Sequence, residues 1–349
     1  MIPYLSDNIF MRKLVCSVAL LLTVLCSCTT KQSQEEVPTQ LLEHEILMGD
    51  EYLISNTRDM ELVNDSIPIV INSKSQKAFQ LLDYSKDIIK DFGDIGQGPD
   101  NFLMPYSLSV MKENSFSFYD LNRRRYSTIY LNEEDDSWRV EHQFKSDSLT
   151  HINVLPVVNN QYIATGMYED YRLVLLDKDG AFQKGFGELP YRDEEERKVN
   201  GMIRSEIYQG ELTVSPSGNK VAHALQKADI IYFYTITADG NLILKSEQLK
   251  SYPQYRYDAG VIDRDSPLHY MGICSTEEYV YTLYSGRNYK DDKDKAFYGN
   301  LIRVYNWDGM LVKQLQLDID VCQFVVTQDN QEIYAISYLP DPVLVVFDL

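Results

Sequence analysis

The hydrophobic positions of this chain alternate with polar ones far more often than they follow a helical period. From residue 41 onward, alternating or fully apolar runs of four to eight residues are separated by Gly, Pro, Asn and Asp. Such runs are typical of β-strands, whereas a helix would place apolar residues three and four positions apart. One stretch, Tyr191–Arg204, is amphipathic enough for a short helix in an inserted loop. The pattern therefore predicts an all-β domain.

The predicted strands recur in a repeated unit. In each unit a run rich in Tyr, Leu, Val and Ile leads through a short polar turn to a second strand, and three of these turns contain Asp-Gly, which tight hairpins favour. An equivalent position recurs at spacings of 49, 45, 60, 69 and 42 residues, with a mean of 53. A period near this length, with four strands per unit, is typical of propeller blades and predicts a six-bladed β-propeller. The six equivalent positions are Asp83, Asn132, Asp177, Thr237, Asn306 and Asp348.

The sixth unit ends at Leu349 after only three strands. An incomplete blade would leave an open sheet edge, and circular folds remove such edges by pairing the first and last segments of the chain. We therefore expect a strand within Leu41–Met48 to supply the outer strand of the last blade.

The first thirty residues predict the cellular location of the protein. A basic pair at positions 12–13 precedes the thirteen-residue apolar run Leu14–Cys26, which suits a secretory signal and is too short to span a bilayer. Residues 25–28 read LCSC and resemble the lipobox of bacterial lipoproteins, although Cys26 replaces its usual small residue. The resemblance implies that Cys28 becomes the first mature residue and carries the lipid. A plain signal peptide with incidental cysteines is the alternative.

These features divide the chain into three predicted parts. Residues 1–27 form a lipoprotein signal peptide, with the natural start at Met11, and residues 28–40 form a flexible polar tether. Residues 41–349 form the propeller domain. The expected location is the outer membrane, with the domain on the cell surface or on the periplasmic face.

A glycine-rich linker between the first two units carries a recognisable motif. Residues 91–105 read DFGDIGQGPDNFLMP and resemble the FG-x-x-G-x-GP-x-x-F-x-x-P linker of NHL-like and TolB-like six-bladed propellers. Together with the lipobox, the linker resembles the TolB-like propeller lipoproteins of Bacteroides-type bacteria. The family usually has Glu where this chain has Asn101. The motif positions, which we expect to be structural, are Phe92, Gly93, Gly96, Gly98, Pro99, Phe102 and Pro105.

Each residue type in this linker has a physical reason to be there. Glycine permits the left-handed backbone that would carry the chain from one blade to the next. Pro99 stiffens the crossing, Phe102 can wedge between blades, and Pro105 can begin a strand where no backbone donor is needed. A phosphate-binding loop would need a helix and a lysine after the glycines, and neither follows.

Charge and cysteine content narrow the range of partners. Against 33 Lys and Arg stand 52 Asp and Glu, a formal net charge of −19, so nucleic acid is excluded as a partner and an anionic membrane is reached through the lipid alone. Of five cysteines, only Cys274 and Cys322 belong to the predicted domain, and both lie in apolar runs where a free thiol packs well. A disulfide between them stays open. We expect a monomer without a cofactor or metal ion.

No motif in the sequence predicts a catalytic residue or a metal site. His151 and His269 begin predicted inner strands and could converge in the propeller channel. The basic cluster formed by Arg123, Arg124 and Arg125 could clamp a carboxylate or sulfate. These five are the candidate ligand-binding residues. For each of them, packing or pairing with nearby acidic groups is the alternative.

Two functions therefore remain open. The first is a non-catalytic propeller at the cell envelope that binds a glycan, a peptide or a partner protein. The second is a glycan or peptide hydrolase or lyase acting in the channel. Two carboxylates within reach of one another in the channel, or a metal set including His151 and His269, would favour the enzyme, and a lining of apolar and hydroxyl side chains would favour the binding protein. The charged insertion Arg287–Tyr298 and the segment Tyr191–Arg204 could border a ligand face.

Overall fold

The structure, a computed structural model, describes residues 37–49, 51–52, 54, 56–110, 112–132, 134–135, 137–146 and 149–349. The predicted signal peptide 1–27 and the predicted lipidation site Cys28 lie outside these residues. Within the described ranges, no helix has both the length and the apolar character needed to cross a membrane.

Six sheets form the blades, and in blades 1 to 5 the four strands pair antiparallel in chain order, whereas blade 6 takes its outer strand from the start of the described chain. Two short strands come first in the described chain, β1 (Thr39–Leu42) and β2 (Glu45–Met48). Blade 1 contains β3 (Thr57–Val63), β4 (Ile67–Asn72), β5 (Lys77–Asp83) and β6 (Ile88–Asp94). Blade 2 contains β7 (Pro105–Ser109), β8 (Ser115–Asp120), β9 (Arg125–Asn132) and β10 (Ser137–Lys145). Blade 3 contains β11 (His151–Val157), β12 (Gln161–Gly166), β13 (Leu173–Leu176) and β14 (Phe182–Phe186).

The second half of the ring repeats this arrangement. Blade 4 contains β15 (Gly210–Val214), β16 (Lys220–Leu225), β17 (Asp229–Ile236) and β18 (Leu242–Ser251). A small hairpin follows, made of β19 (Tyr255–Arg256) and β20 (Val261–Ile262). Blade 5 contains β21 (Tyr270–Ser275), β22 (Tyr279–Tyr284), β23 (Gly299–Asn306) and β24 (Leu311–Val321). Blade 6 contains β25 (Gln323–Val326), β26 (Glu332–Ser337) and β27 (Val343–Asp348) together with β2.

The first strand of each blade lies at the centre of the ring. These inner strands contact one another in cyclic order, and β25 of blade 6 contacts β3 of blade 1. Seven of the eight residues of β17 are buried, whereas none of the ten residues of the outer strand β18 is. Neighbouring blades cover both faces of the middle strands, which is why those strands are continuous apolar runs. The predicted six-bladed, all-β propeller is confirmed.

The N-terminal segment closes the ring. Strand β2 pairs with β27 from Glu45↔Val346 to Met48↔Leu344, so the predicted closure of the last blade is confirmed. Strand β1, which the sequence did not predict, pairs in parallel with β24 of blade 5. Its Leu42 is 5% exposed in the core, whereas Leu41 is 77% exposed. The segment β1–β2 therefore straps blade 5 to blade 6.

The predicted helix at Tyr191–Arg204 is present as two short helices. Helix α1 (Glu194–Arg197) and helix α2 (Gly201–Ile207) each begin after a side chain that accepts hydrogen bonds from backbone N–H groups of the first turn. These caps are Asp193 and Asn200. Because residues 191–204 follow an outer strand and precede an inner one, they lie on the face of the ring where the inner strands begin.

Two further insertions lie on the same face. Helix α3 (Tyr289–Asp292) and the 3-10 turn Lys293–Phe297 connect the second and third strands of blade 5. The hairpin β19–β20 connects blade 4 to the inner strand of blade 5. We call this the insertion face, and we call the opposite side, with the turns after the inner strands, the turn face. A short 3-10 helix, Val158–Asn160, lies in one of those turns.

The linker motif packs between blades 1 and 2. Gly93 has φ +75°, and a Cβ there would lie 2.9 Å from the ring of Phe102, which is fully buried. Gly96 and Gly98 lie outside the left-handed region and instead pack against the Asn101 side chain. Five phenylalanines form the cluster around the linker: Phe79, Phe92, Phe102, Phe116 and Phe118.

A buried ion pair joins blades 4 and 5. The Arg303 Nη1 lies 3.1 and 3.2 Å from the two carboxylate oxygens of Asp229. Tyr270 and Tyr284 donate hydrogen bonds to the same carboxylate at 2.7 and 3.3 Å. The Arg303 guanidinium also lies 3.4 Å from the centre of the Tyr284 ring. We call these four residues the interblade network.

The two cysteines of the domain are free thiols. Cys274 is buried and Cys322 is half-buried. Burial raises the pKa of both thiols, and that of Cys322 reaches about 12. Neither thiol is therefore a ready nucleophile, since the thiolate is the reactive form.

Candidate functional site

The six inner strands surround a central cavity of about 810 Å³. Its lining runs from the middle of these strands into the turns that follow β3, β7, β15 and β25. The cavity therefore reaches the turn face, opposite the insertions. A volume of this size is within the range of sites that hold small molecules or short segments of a partner.

Three carboxylates occupy opposite walls of this channel. Asp59 and Glu61 lie two residues apart on β3 of blade 1, and Glu211 lies on β15 of blade 4. The pairing of β3 is irregular between Thr57 and Met60, but both carboxylates line the channel and the Asp59 charge acts on Glu61. Because blades 1 and 4 are three positions apart in a ring of six, the two strands face each other across the channel.

Burial and mutual repulsion shift the protonation of this group. Burial raises the pKa of Asp59 to about 6, although the backbone N–H groups of Leu108 and Met60 donate to its carboxylate at 2.6 and 2.9 Å. Burial and the Asp59 charge raise the pKa of Glu61 to about 8 and that of Glu211 to about 7. These three carboxyl groups therefore titrate near neutral pH.

One arginine stands next to these carboxylates. The Arg58 guanidinium lies over the ring of Tyr106 at 4.9 Å, and its backbone carbonyl accepts a hydrogen bond of 3.0 Å from Gln323. Its charge lowers the pKa of Asp59 and of Glu211 without cancelling the effect of burial. Burial and the Glu211 charge raise the pKa of Tyr106 to about 12.

Polar side chains elsewhere in the channel are bonded to the walls. Asn153 donates to the Thr165 hydroxyl at 3.1 Å and to the Gly210 carbonyl at 3.2 Å. The hydroxyls of Thr213 and Ser275 lie 2.8 Å apart and join blades 4 and 5. These bonds fix the shape of the channel and leave the three carboxylates as its chemically distinctive groups.

The mouth at the turn face is also built from contacts between blades. The Gln328 N–H donates to both carboxylate oxygens of Asp65, at 2.9 and 3.1 Å. The Asn114 N–H donates to the side-chain oxygen of Asn64 at 2.8 Å. Burial, with the nearby charge of Asp329, raises the pKa of Asp65.

The two candidate histidines lie outside the channel lining and have separate partners. His151 is buried and its Nδ1 lies 2.5 Å from the Tyr168 hydroxyl. His269 lies 3.2 Å from the Tyr284 hydroxyl, and burial lowers its pKa to about 4. The structure therefore does not bring them together around the cavity.

The arginine cluster contacts the linker. The Arg123 Nη2 donates to the carbonyls of Gly96 and Gly98 at 2.9 and 2.7 Å. Arg125 donates to the Pro99 carbonyl at 3.5 Å. Arg124 has φ +53°, and its carbonyl accepts a hydrogen bond of 2.8 Å from the Ser146 N–H. These three arginines do not line the channel.

A smaller pocket of about 320 Å³ lies on the insertion face. It is lined by Arg192, Tyr252, Gln254, Tyr255 and Asp263. The Arg192 Nη2 donates to the Pro253 carbonyl at 2.6 Å, which anchors that side of the pocket.

Only a weak feature of the sequence points to the channel carboxylates. The strand TRDMELV contains charged residues at positions 58, 59 and 61, although a strand buried in a ring would be expected to be apolar. Glu211 is one of many acidic residues, and only the ring places it opposite Asp59. Among the described residues, no three His, Cys, Asp or Glu side chains are grouped closely enough to hold a metal ion.

Two solved structures share this fold at low sequence identity. Regucalcin from Agrobacterium tumefaciens, a calcium-binding protein, is 10% identical with a TM-score of 0.54, over 89% of this chain and 95% of that one. An exported protein from Bacteroides fragilis is 12% identical with a TM-score of 0.52, over 88% of this chain and 98% of that one. The search of curated proteins found no match.

The comparison with protein families agrees with the linker motif and with the ring of six blades. The family described as TolB-like 6-blade propeller-like matches residues 39–329, from the first strand β1 into blade 6. The chain therefore belongs to the TolB-like six-bladed propeller family.

Proposed function

We propose that this protein is an exported lipoprotein whose propeller binds a ligand in its central channel without transforming it. The observation that carries the proposal is the cavity of about 810 Å³, which opens on the turn face and is lined by apolar side chains and by hydroxyl and amide side chains bonded to its walls. The ligand belongs to one of three classes: a glycan, a peptide or a segment of a partner protein. The pocket on the insertion face, with its tyrosines, offers a second surface for a larger ligand.

The signal sequence and one of the structural neighbours support the proposed location. The apolar run Leu14–Cys26 and the lipobox at residues 25–28 are the features of an exported lipoprotein. The Bacteroides fragilis neighbour with the same fold is itself an exported protein. We propose that Cys28 carries the lipid and that the anchor lies in the outer membrane.

The anchor has a direct test. Cys28→Ala should move the protein from the membrane fraction to the soluble fraction, because the lipid attaches to that thiol. Cys26→Ala is the matched control, since it alters a neighbouring cysteine of the same motif and should leave the protein in the membrane. Retention of Cys28→Ala in the membrane would contradict the proposed anchor.

A hydrolase or lyase is the second candidate, and one observation favours it. Enzymes that cleave glycans use a pair of carboxyl groups whose pKa values differ, with the higher one serving as the general acid. Asp59, with a pKa of about 6, and Glu211, with a pKa of about 7, face each other across the channel.

Binding and turnover can be separated in one experiment. Glycan and peptide arrays are probed with residues 37–349, and each ligand that binds is then incubated with the protein and analysed by mass spectrometry. Binding that leaves the ligand intact supports the proposed function. Cleavage that disappears in Glu211→Gln would contradict the non-catalytic function and support the hydrolase or lyase instead.

A further inference from the structure

Acidic side chains outnumber basic ones in the lining of the channel. Five acidic side chains line it against two basic ones. The acidic residues are Asp59, Glu61, Asp65, Glu113 and Glu211, and the basic residues are Arg58 and Lys112. Asp65 and Glu113 lie at the mouth on the turn face, and the other three lie deeper. A positively charged group entering from that face is attracted at each step of its path.

At the centre of the channel, the carboxylates of the inner strands are only partly offset by positive charge. Asp59, Glu61 and Glu211 all line the channel, and the Asp59 charge acts on both glutamates. A cation placed between β3 and β15 would lie among carboxylates of both walls and offset their mutual repulsion. Arg58 offsets this repulsion only in part, since its charge lowers the pKa of Asp59 and of Glu211 without cancelling the effects that raise them.

The rest of the lining indicates which kind of positively charged group the channel can bind. The described carboxylates are not grouped as ligands of a single metal ion, and the cavity is far larger than an ion. Apolar side chains lie among the charged ones: Leu108, Leu155, Met271 and Phe324. A lysine or arginine side chain has this same combination, an apolar stem and a charged end.

We propose that the channel binds the cationic side chain of a lysine or arginine carried by a peptide or protein segment that enters from the turn face. This inference rests on the proposed ligand-binding function and selects the peptide class among its ligands. The apolar stem packs on the channel wall, and the ammonium or guanidinium group lies between Glu61 and Glu211.

The test uses the full-length protein in detergent and four acetylated, amidated nonapeptides. The peptides consist of Gly and Ser and differ only at the central residue, which is Lys, Arg, Gln or Glu. Isothermal titration calorimetry should detect binding of the Lys and Arg peptides and a much weaker signal for the other two. Equal affinity for the Gln and Lys peptides would overturn the proposal.

Channel variants locate the binding. Glu61→Gln and Glu211→Gln should each weaken binding of the Lys peptide at least about tenfold, since the ammonium group loses a hydrogen bond to a charged carboxylate. Glu134→Gln is the matched control, because Glu134 is exposed in the outer turn of blade 2. Unchanged affinity in both channel variants would overturn the proposal. Thermal unfolding of each variant confirms that it is folded.

The dependence on pH gives a measurement without any substitution. The titratable and charged groups of the channel are the seven charged lining residues and Cys274, and Tyr106 lies next to Arg58 behind this lining. A bound cation favours ionised carboxylates, so the Lys peptide should bind more tightly at pH 8.5 than at pH 5.5 and release protons at pH 7. Binding that is tighter at pH 5.5 would contradict this mechanism.

Other ligands separate this inference from the proposed function. Spermidine, glucosamine oligomers and Ca²⁺ alone are titrated in parallel. If one of these binds in the channel and the Lys and Arg peptides do not, the peptide class is wrong and the binding function stands. If the arrays and all these probes fail to bind, the proposed function fails as well.

Discussion

Removing the carboxylate of Asp229 tests how far one buried ion pair holds two blades together. In Asp229→Ala the interblade network loses its acceptor, and Arg303 keeps a positive charge in a place where its side chain is only 11% exposed. The Asp229 side chain is 7% exposed, so water does not replace the lost interaction. The Arg303 charge lowers the pKa of Asp229 against the opposing effect of burial, which shows that the pair is stabilised as ions.

The size of the effect follows from these contacts. Asp229 accepts hydrogen bonds from Arg303, Tyr270 and Tyr284, and its two oxygens lie 3.1 and 3.2 Å from the guanidinium. Breaking a buried pair by removing one partner costs about 3 to 5 kcal/mol. For a domain of this size we expect the unfolding midpoint to fall by on the order of 10 °C.

Differential scanning calorimetry at pH 7.5 measures the midpoint. Glu195→Ala is the control, because it breaks an ion pair with Lys198 in which both side chains are exposed. The double variant Asp229→Leu with Arg303→Met should regain most of the loss, since apolar residues then replace both ions. If Asp229→Ala lowers the midpoint no more than Glu195→Ala, the network does not stabilise the interface.

Three further variants test other parts of the ring. Gly93→Ala should cost about 1 to 3 kcal/mol in chemical unfolding, because residue 93 has φ +75° and the new methyl group would press on Phe102; a cost no larger than that of Gly96→Ala would contradict this. Leu42→Ala should lower the free energy of unfolding by about 2 to 4 kcal/mol, and Leu41→Ala should hardly change it, because the segment β1–β2 packs on the ring through the buried side chain of Leu42. Equal effects of the two substitutions would contradict this. His223 is 2% exposed with no hydrogen-bond partner for its ring nitrogens among the described residues, and burial lowers its pKa to about 3. Below pH 6.5 the unfolded chain therefore binds a proton that the folded chain does not, so stability should fall between pH 7.5 and 5, by at most about 1.4 kcal/mol per pH unit from this group. His223→Phe should show a smaller fall in calorimetry, and an unchanged fall would show that other groups cause it.

The fold could be predicted because its signals are local. Strand alternation and the Asp-Gly turns act within a few residues, and Gly180, Gly240 and Gly309 all adopt the positive φ that such turns need. The missing strand of blade 6 could be predicted because an open edge must be covered. Strand β1 could not, since only Leu42 of its four residues is buried and the rest give no apolar pattern.

The candidate site was harder to predict because it depends on positions far apart in the chain. Glu211 faces Asp59 in the ring although the two residues lie 152 positions apart in the chain. Arg123 is predicted as a ligand-binding residue from its place in a basic cluster, and the structure adds its bonds to backbone carbonyls, which a sequence does not display. His151 does begin an inner strand, as expected, but its ring bonds to Tyr168.

The closure of blade 6 also has a consequence for the order of folding. Glu45 pairs with Val346, so β2 can pair only when the strand at the other end of the described chain, β27, is in place. Blades 1 to 5 can form from sequential hairpins, whereas the sixth needs a contact across nearly the whole domain, and such contacts form slowly. Ring closure should therefore be the late step, and a chain that lacks its last strands would keep β2 without a partner.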